Sequence, residues 1–387
     1  MLALLLWICL TLLAFTYVGY PLVIWLRARL APRPPGYLEA HWEPRVDVLL
    51  VVHNGAAMLR RKLDNLLALD YPPDLLRIHV ACDGCDDNSV SLARAHGDPR
   101  IQVHAFAARR GKSACLGDVL AHLDAEVVLF CDLRQRIDTG ALRALLRILV
   151  DVRVGAVSGA LVFEPADDRG FARSVDAYWR YERFVREQEA ISGSVTGASG
   201  ALYAARRALI PPIPPGLILD DLWIPLAVAA GGARVGFASD ALAFDHASAD
   251  PAIEAARKRR TLAGNFQLIA RDPGLLLPWR HPLAWRLWGH KWLRLAAPWL
   301  MALALLANLV LAVDSRHYLL LALAQLAFYA LAALAWRVPT LARWRPAQIA
   351  ATFVRMNGYA ALGLLDFLRG AAATTWQPTT NPAPPHE

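Results

Sequence analysis

Four acidic positions have the residue type and placement to do chemistry together: Asp83, Asp132 and the adjacent pair Asp220-Asp221. Carboxylate oxygens are ready ligands for Mg²⁺ or Mn²⁺, and such an ion neutralises a diphosphate. One well-placed carboxylate also serves as a general base. Singly, each of these acids reads equally well as a cap or loop residue. Their shared position, at the ends of apolar runs, makes them a set.

The elements that must position them lie between residues 46 and 270. Short β-rich runs, Val46–Val52, Arg77–Cys82, Ile101–Phe106 and Glu126–Asp132, alternate with helical patterns near 56–69, 88–96 and 113–123. This alternation predicts a Rossmann-type, mostly parallel α/β sheet. The runs are continuously apolar, as when both faces of a sheet are covered. Ligands of such sheets bind beyond the carboxyl ends of the strands. That rule points at His53-Asn54, Asp83-Gly84 and Asp132. The chain has no Walker motif, no G-x-G-x-x-G, no H-E-x-x-H and no zinc-spaced Cys/His cluster. Gly197-Ala-Ser-Gly200 lacks the strand-elbow context of a hydrolase nucleophile, so Ser199 is set aside. Cys82-Asp-Gly-Cys85 is formally a C-x-x-C, but a strand ending at Cys82 with a turn after it is the simpler reading.

Hydropathy sets the context. The chain has 387 residues, 56% hydrophobic and 19% charged. That balance suits a water-facing domain with a few membrane spans and excludes extended disorder. Residues 1–26 carry no charged side chain, and Arg27, Arg29 and Arg33 follow. This order predicts an uncleaved span with its N-terminus outside. Residues 295–313 and 318–336 are uncharged runs joined by Asp314-Ser-Arg-His317. Lys291 and Arg294 precede them; Arg337, Arg343 and Arg345 follow. They read as a hairpin with both flanks in the cytoplasm. Residues 347–368, interrupted by Arg355, Asn357 and Asp366, read either as a further span or as an interfacial piece. The formal net charge is +8, and residues 251–300 alone hold nine Lys/Arg against two Asp/Glu. Membrane-proximal charge of this kind argues against nucleic-acid binding. Five Trp between 279 and 299, set among Arg280, Arg286, Lys291 and Arg294, predict an amphipathic segment in the headgroup layer, 271–294. The expected organisation is therefore a span at 1–26, a cytoplasmic domain at 27–270, this interfacial segment, a membrane region at 295–368 and a tail at 369–387.

In this order the residues resemble the membrane-bound family-2 glycosyltransferases, the group of the polysaccharide synthases, over roughly residues 46–300. Val48-Leu-Leu-Val-Val-His-Asn54 is similar to the opening strand and Y-N-E motif, with His53 at the Tyr. Cys82-Asp-Gly-Cys-Asp-Asp87 resembles D-G-S-x-D, which implies Asp83 at the nucleotide base. Gly111-Lys112 is similar to the family's nucleotide-site G-K, and Phe130-Cys-Asp132 to the start of D-x-D. Leu219-Asp220-Asp221 resembles the T-E-D region, whose last acid is the base. Arg257-Lys-Arg-Arg260-Thr261 has the spacing of Q-x-x-R-W, placing Arg257 and Arg260 towards the acceptor and diphosphate.

The resemblance implies a GT-A-like domain and an inverting enzyme. It would move a sugar from a nucleotide donor, a UDP-sugar first of all, to a lipid-linked or polysaccharide acceptor at a bacterial inner membrane. Asp132 would hold the divalent cation. Three departures stand out: Arg134 occupies the second acid of D-x-D, which would weaken the metal, Arg257 occupies the Gln of Q-x-x-R-W, and Thr261 occupies its Trp. A membrane-anchored nucleotide-sugar-binding accessory protein without catalysis is the alternative.

Overall fold

The computed structural model describes residues 1–36, 42–164, 170–246, 251–338, 340–341 and 344–371. Arg343 and the tail from residue 372 onward lie outside them. The centre is an eight-stranded sheet in the order β3-β2-β1-β4-β7-β6-β8-β5. Its strands are β1 (Val46–Val52), β2 (Leu76–Asp83), β3 (Ile101–Phe106), β4 (Val127–Cys131), β5 (Arg136–Ile137), β6 (Val154–Glu164), β7 (Leu202–Arg206) and β8 (Arg234–His246). The half from β3 to β4 is parallel throughout. Beyond β4 the sheet is mixed: β7 runs antiparallel to both β4 and β6, β8 parallel to β6, and β5 antiparallel to β8.

Strand β1 shows why continuous apolar runs form this half. Val46, Val48, Leu50 and Val52 enter one core, which the helix Ala56–Leu67 helps to close. Leu49 enters the opposite core, with Cys115, Leu116 and Val119 of the helix Lys112–Leu120. Every residue therefore meets apolar neighbours, whichever face it points to. The buried exception is Asp47, whose carboxylate lies 3.3 Å from His79 on β2.

Among the described residues three helices are long and apolar enough to cross a membrane: Leu2–Leu30, Ala284–Leu311 and Arg316–Arg337. The first runs past the charge-free segment, through Arg27 and Arg29 to Leu30. It stays helical through Pro21 by opening into a π-turn at Phe15–Gly19. Proline lacks an N–H and crowds the carbonyl four residues before it, and a wider turn accommodates both. Leu6 and Cys9 of this helix pack on Ala304 and Ala307, and Tyr20 packs near His290. The pairs run in opposite order, so the two helices are antiparallel. A further helix, Arg345–Leu368, packs on the helix Pro251–Arg271, where Arg259 pairs with Asp366 through bonds of 2.9 and 2.6 Å.

The Trp-rich segment divides. Trp279, Trp285, Trp288 and Trp299 are exposed, whereas Arg286, His290 and Trp292 are buried. Arg286 donates to the carbonyls of Glu189, Ser192 and Ser194. The basic residues of this stretch thus serve the interior as well as the surface.

Candidate active site

The carboxyl ends of β1, β2 and β4 deliver the first group of residues. At the end of β2 the chain turns through Gly84, whose φ is +55°. A side chain there would stand 2.4 Å from the Arg109 amide nitrogen, so only glycine fits. This close approach lets the Asp83 carboxylate accept two backbone N–H bonds, from Arg110 at 2.7 Å and Gly111 at 2.9 Å. The β2 turn is thereby tied to the start of the helix that carries Lys112. His53, at the end of β1, lies with Nδ1 2.7 Å from the Asp83 carbonyl oxygen. A carbonyl only accepts, so Nδ1 carries the proton. Asp87 closes the same loop by accepting from the Ala56 and Ser89 amides.

Lys112 is the hub of the second group. Its Nζ lies 3.0 Å from Asp132, just past β4, and 3.3 Å from Asp220. Burial alone would push the ammonium down, but Asp132, Asp220 and Asp221 outweigh it and hold it above its ordinary value. Asp220 and Asp221 open the helix Asp220–Ala230. Asp220 is buried and accepts from the Tyr203 hydroxyl at 3.4 Å. Asp221 Oδ2 accepts the Gly200 amide at 3.1 Å. Burial, then Asp220, raise the Asp221 carboxyl to about 6, against the pull of Lys112. A carboxylate poised there is matched to proton abstraction near neutral pH.

Arg257 and Arg260 stand three residues apart on the helix Pro251–Arg271 but serve different neighbours. Arg260 lies within electrostatic reach of Asp220, Asp132 and Asp221. Arg257 is 3.9 Å from Glu254 and within reach of Arg134 and Asp245. Arg134 itself ion-pairs with Asp245, whose buried carboxylate also accepts from Gln135 at 2.9 Å. Among the described residues Arg134 makes its ion pair with Asp245 and none with Asp132. Burial raises the Asp245 carboxyl, and Arg134 offsets part of that cost.

Among the described residues no group of three or more His, Cys, Asp and Glu side chains gathers to hold a metal ion. What the site does offer is Asp132 Oδ2 and Asp221 Oδ2. They converge over Gly200, 3.5 and 3.2 Å from the point where a side chain's first carbon would stand. One or two carboxylate oxygens suit a Mg²⁺ or Mn²⁺ that takes its other ligands from phosphate and water.

The loop 197–200, which the sequence sets aside as a nucleophile, enters the site through its backbone: the Gly200 N–H supports Asp221, and the Ala198 N–H donates to the Asp221 carbonyl at 2.8 Å. Two glycines flanking Ala198-Ser199, just before the strand Leu202–Arg206, are the only signal that could have found it.

Residues 47–211 match the family described as Glycosyl transferase family 2. The Beta-monoglucosyldiacylglycerol synthase of Synechocystis sp. is 24% identical over 181 residues, which cover 43% of this chain and 36% of that protein. The match thus spans about a third of that relative's length. In fold, the structure is similar to the mannosyltransferase PcManGT from Pyrobaculum calidifontis, solved in complex with GDP-Man and Mn²⁺, with a TM-score of 0.69. That likeness covers 94% of this chain and 99% of the other, at 24% identity. The architecture is accordingly GT-A-like, with apolar helices before and after the sheet.

Proposed function

We propose that this protein, which carries a family-2 glycosyltransferase domain, moves a sugar from a nucleotide donor to a membrane-associated acceptor with inversion at the anomeric carbon. The observation that carries the reading is the convergence of Asp221, Asp132 and Asp220 on Lys112, at the carboxyl edge of a GT-A-like sheet. The archaeal relative in fold was solved with a nucleotide sugar, and the cyanobacterial relative is named for a glycolipid.

In this reading the donor diphosphate lies at the Lys112 end of the site, with Asp83 and His53 towards the nucleotide base. Asp221 takes the proton of the acceptor hydroxyl as its oxygen attacks the anomeric carbon from the face opposite the leaving group. The bond from sugar to diphosphate breaks, and the negative charge that develops there meets Lys112 and Arg260. Arg257, with Arg134 and Asp245, lines the approach to that end. A divalent cation held by Asp132 supplies further neutralisation of the diphosphate when bound. The apolar helices keep the domain on a membrane, with residues 31–283 on the cytoplasmic side of a bacterial inner membrane.

The test is a donor screen. Purified full-length protein in detergent is given UDP- and GDP-sugars with a membrane lipid extract, and released nucleotide is measured. Acceptor-dependent release from one donor class supports transfer. Tight donor binding with no release under any condition would favour the non-catalytic accessory reading.

A further inference from the structure

The loop 192–200, which supports Asp221, is held from two sides. On the sheet side the Val195 N–H donates to the Val235 carbonyl of β8 at 2.9 Å, and the Ser199 N–H to the Ser158 hydroxyl of β6 at 3.0 Å. On the other side stands one residue of the apolar helix Ala284–Leu311. Arg286 Nη1 donates to the carbonyls of Glu189 at 2.7 Å and Ser194 at 2.6 Å. Its Nη2 donates to the Ser192 carbonyl at 2.9 Å and the Ser192 hydroxyl at 3.1 Å. The proposed chemistry leaves this buried guanidinium without a role.

The Glu189 carbonyl lies in the last turn of the helix Gly170–Ile191, where backbone acceptors lack an intrahelical partner. A guanidinium presents its N–H donors in one rigid plane, so Arg286 caps this helix end and fixes Ser192 and Ser194 in a single geometry. Gly193 makes the room: its φ is +148°, and a first side-chain carbon there would stand 2.9 Å from Arg286 Nη2. Trp285 and Trp288, in the same stretch of helix, are exposed, so the rings face outward while the guanidinium faces the loop. From this grip the chain runs directly to the site. The Ala198 N–H holds the Asp221 carbonyl at 2.8 Å, and the Gly200 N–H holds Asp221 Oδ2 at 3.1 Å.

We infer that Arg286 is a positioning residue for the proposed base: it fixes the loop 192–200 against the apolar helix, and the loop aims the Asp221 carboxylate. The inference rests on Asp221 being the base of the proposed transfer. An amide N–H on a carboxylate oxygen favours the charged form. A loop that drifts from Asp221 therefore lets its carboxyl rise beyond about 6 and displaces the oxygen that must meet the acceptor proton. Both effects fall on turnover. Asp83 is held by the Arg110 and Gly111 amides instead, so donor affinity is not routed through Arg286.

Two variants of the full-length protein test this. Arg286→Lys keeps the charge and loses the fork, whereas Gly193→Ala keeps Arg286 and crowds Nη2 out of its place. In both, amide hydrogen exchange across residues 196–202 should quicken about 10-fold or more, while exchange in β1 and β4 keeps the parental rate. With the donor identified by the screen, kcat should fall roughly 10-fold or more, and KM for the donor should stay within about twofold. The acidic limb of the pH–rate profile should move above about 6. Affinity for UDP and GDP, measured by calorimetry, should stay at the parental level. A lowered kcat with the limb unmoved marks a purely structural effect and overturns the inference. So does parental exchange across 196–202, or a loss of nucleotide affinity as large as the loss of kcat. Should Arg286→Lys not fold, Gly193→Ala carries the test alone. Asp221→Asn separates the two readings: parental turnover in that variant, with the loop still loosened in the other two, sinks the base assignment and leaves the tie between Arg286 and the loop intact.

Discussion

Lys112 holds Asp132 and Asp220 together, its Nζ 3.0 Å from one carboxylate and 3.3 Å from the other. These acids are distant in sequence, one just past β4 and one at the start of the helix Asp220–Ala230. A single ammonium lets them share a small volume that would otherwise be dominated by their repulsion.

Replacing Lys112 by Met should therefore act twice. Leaving two carboxylates without their cation costs about 2 kcal/mol of stability, read as a drop in Tm; the loss is below that of a fully buried pair because Asp132 is partly exposed. Affinity for nucleoside diphosphate, measured by calorimetry, should fall 10-fold or more. Unchanged nucleotide affinity in a folded variant would remove Lys112 from the donor site.

Asp221 gives a prediction in pH. As the base it works deprotonated, so the rate should rise with pH through about 6 and level off above. Asp221→Asn should lower transfer roughly 10²-fold or more and abolish that limb. Stability moves the other way. The folded value lies above the unfolded one, so the contribution is fully present below about pH 4 and is lost as pH rises through about 6. The Asn variant should then match or exceed the parent in unfolding free energy at pH 7.5, by at most about 3 kcal/mol. A variant that is both active and unchanged in pH profile would clear Asp221 of the role.

Arg134→Ala should unsettle the fold and leave metal dependence alone. Asp245 would lose its ion pair while remaining buried, at a cost of about 3 kcal/mol. The Mn²⁺ concentration for half-maximal activity should stay put, because Arg134 is turned to Asp245. Asp132→Asn should raise that concentration. A metal response that shifts with Arg134 instead would place its guanidinium at the cation.

The antiparallel helices put Arg27 and Trp285 together, the guanidinium 5.4 Å from the ring centroid, with Asp314 at the far end of the helical pair. In a background without accessible native thiols, cysteines introduced at Asp124 and Asp314 should label from opposite sides of the membrane. Labelling of both from one side contradicts the proposed topology.

The parallel half of the sheet was legible because its strands are continuously apolar and bounded by polar turns. Val46–Val52 and Ile101–Phe106 are read with their observed ends. The mixed half was not legible: whether β7 runs with or against β4 is decided by the path of the intervening chain, which no local pattern encodes. In the site, Asp83, Lys112, Asp132 and Asp221 could be named because motif order and strand ends coincide. The pairing of Arg134 with Asp245 joins residues 111 positions apart in sequence.

Tyr20 packs so tightly on Gly289 that a first side-chain carbon there would stand 2.0 Å from its ring, and its hydroxyl ends on Glu189 with His290. Two apolar helices and the helix behind the Asp221 loop thus meet at one buried carboxylate. In the proposed topology this clamp fixes the height of the Asp221 site relative to the two apolar helices. Activity should then depend on bilayer thickness, because a thicker or thinner membrane moves the acceptor headgroup while the clamp keeps Asp221 where it is.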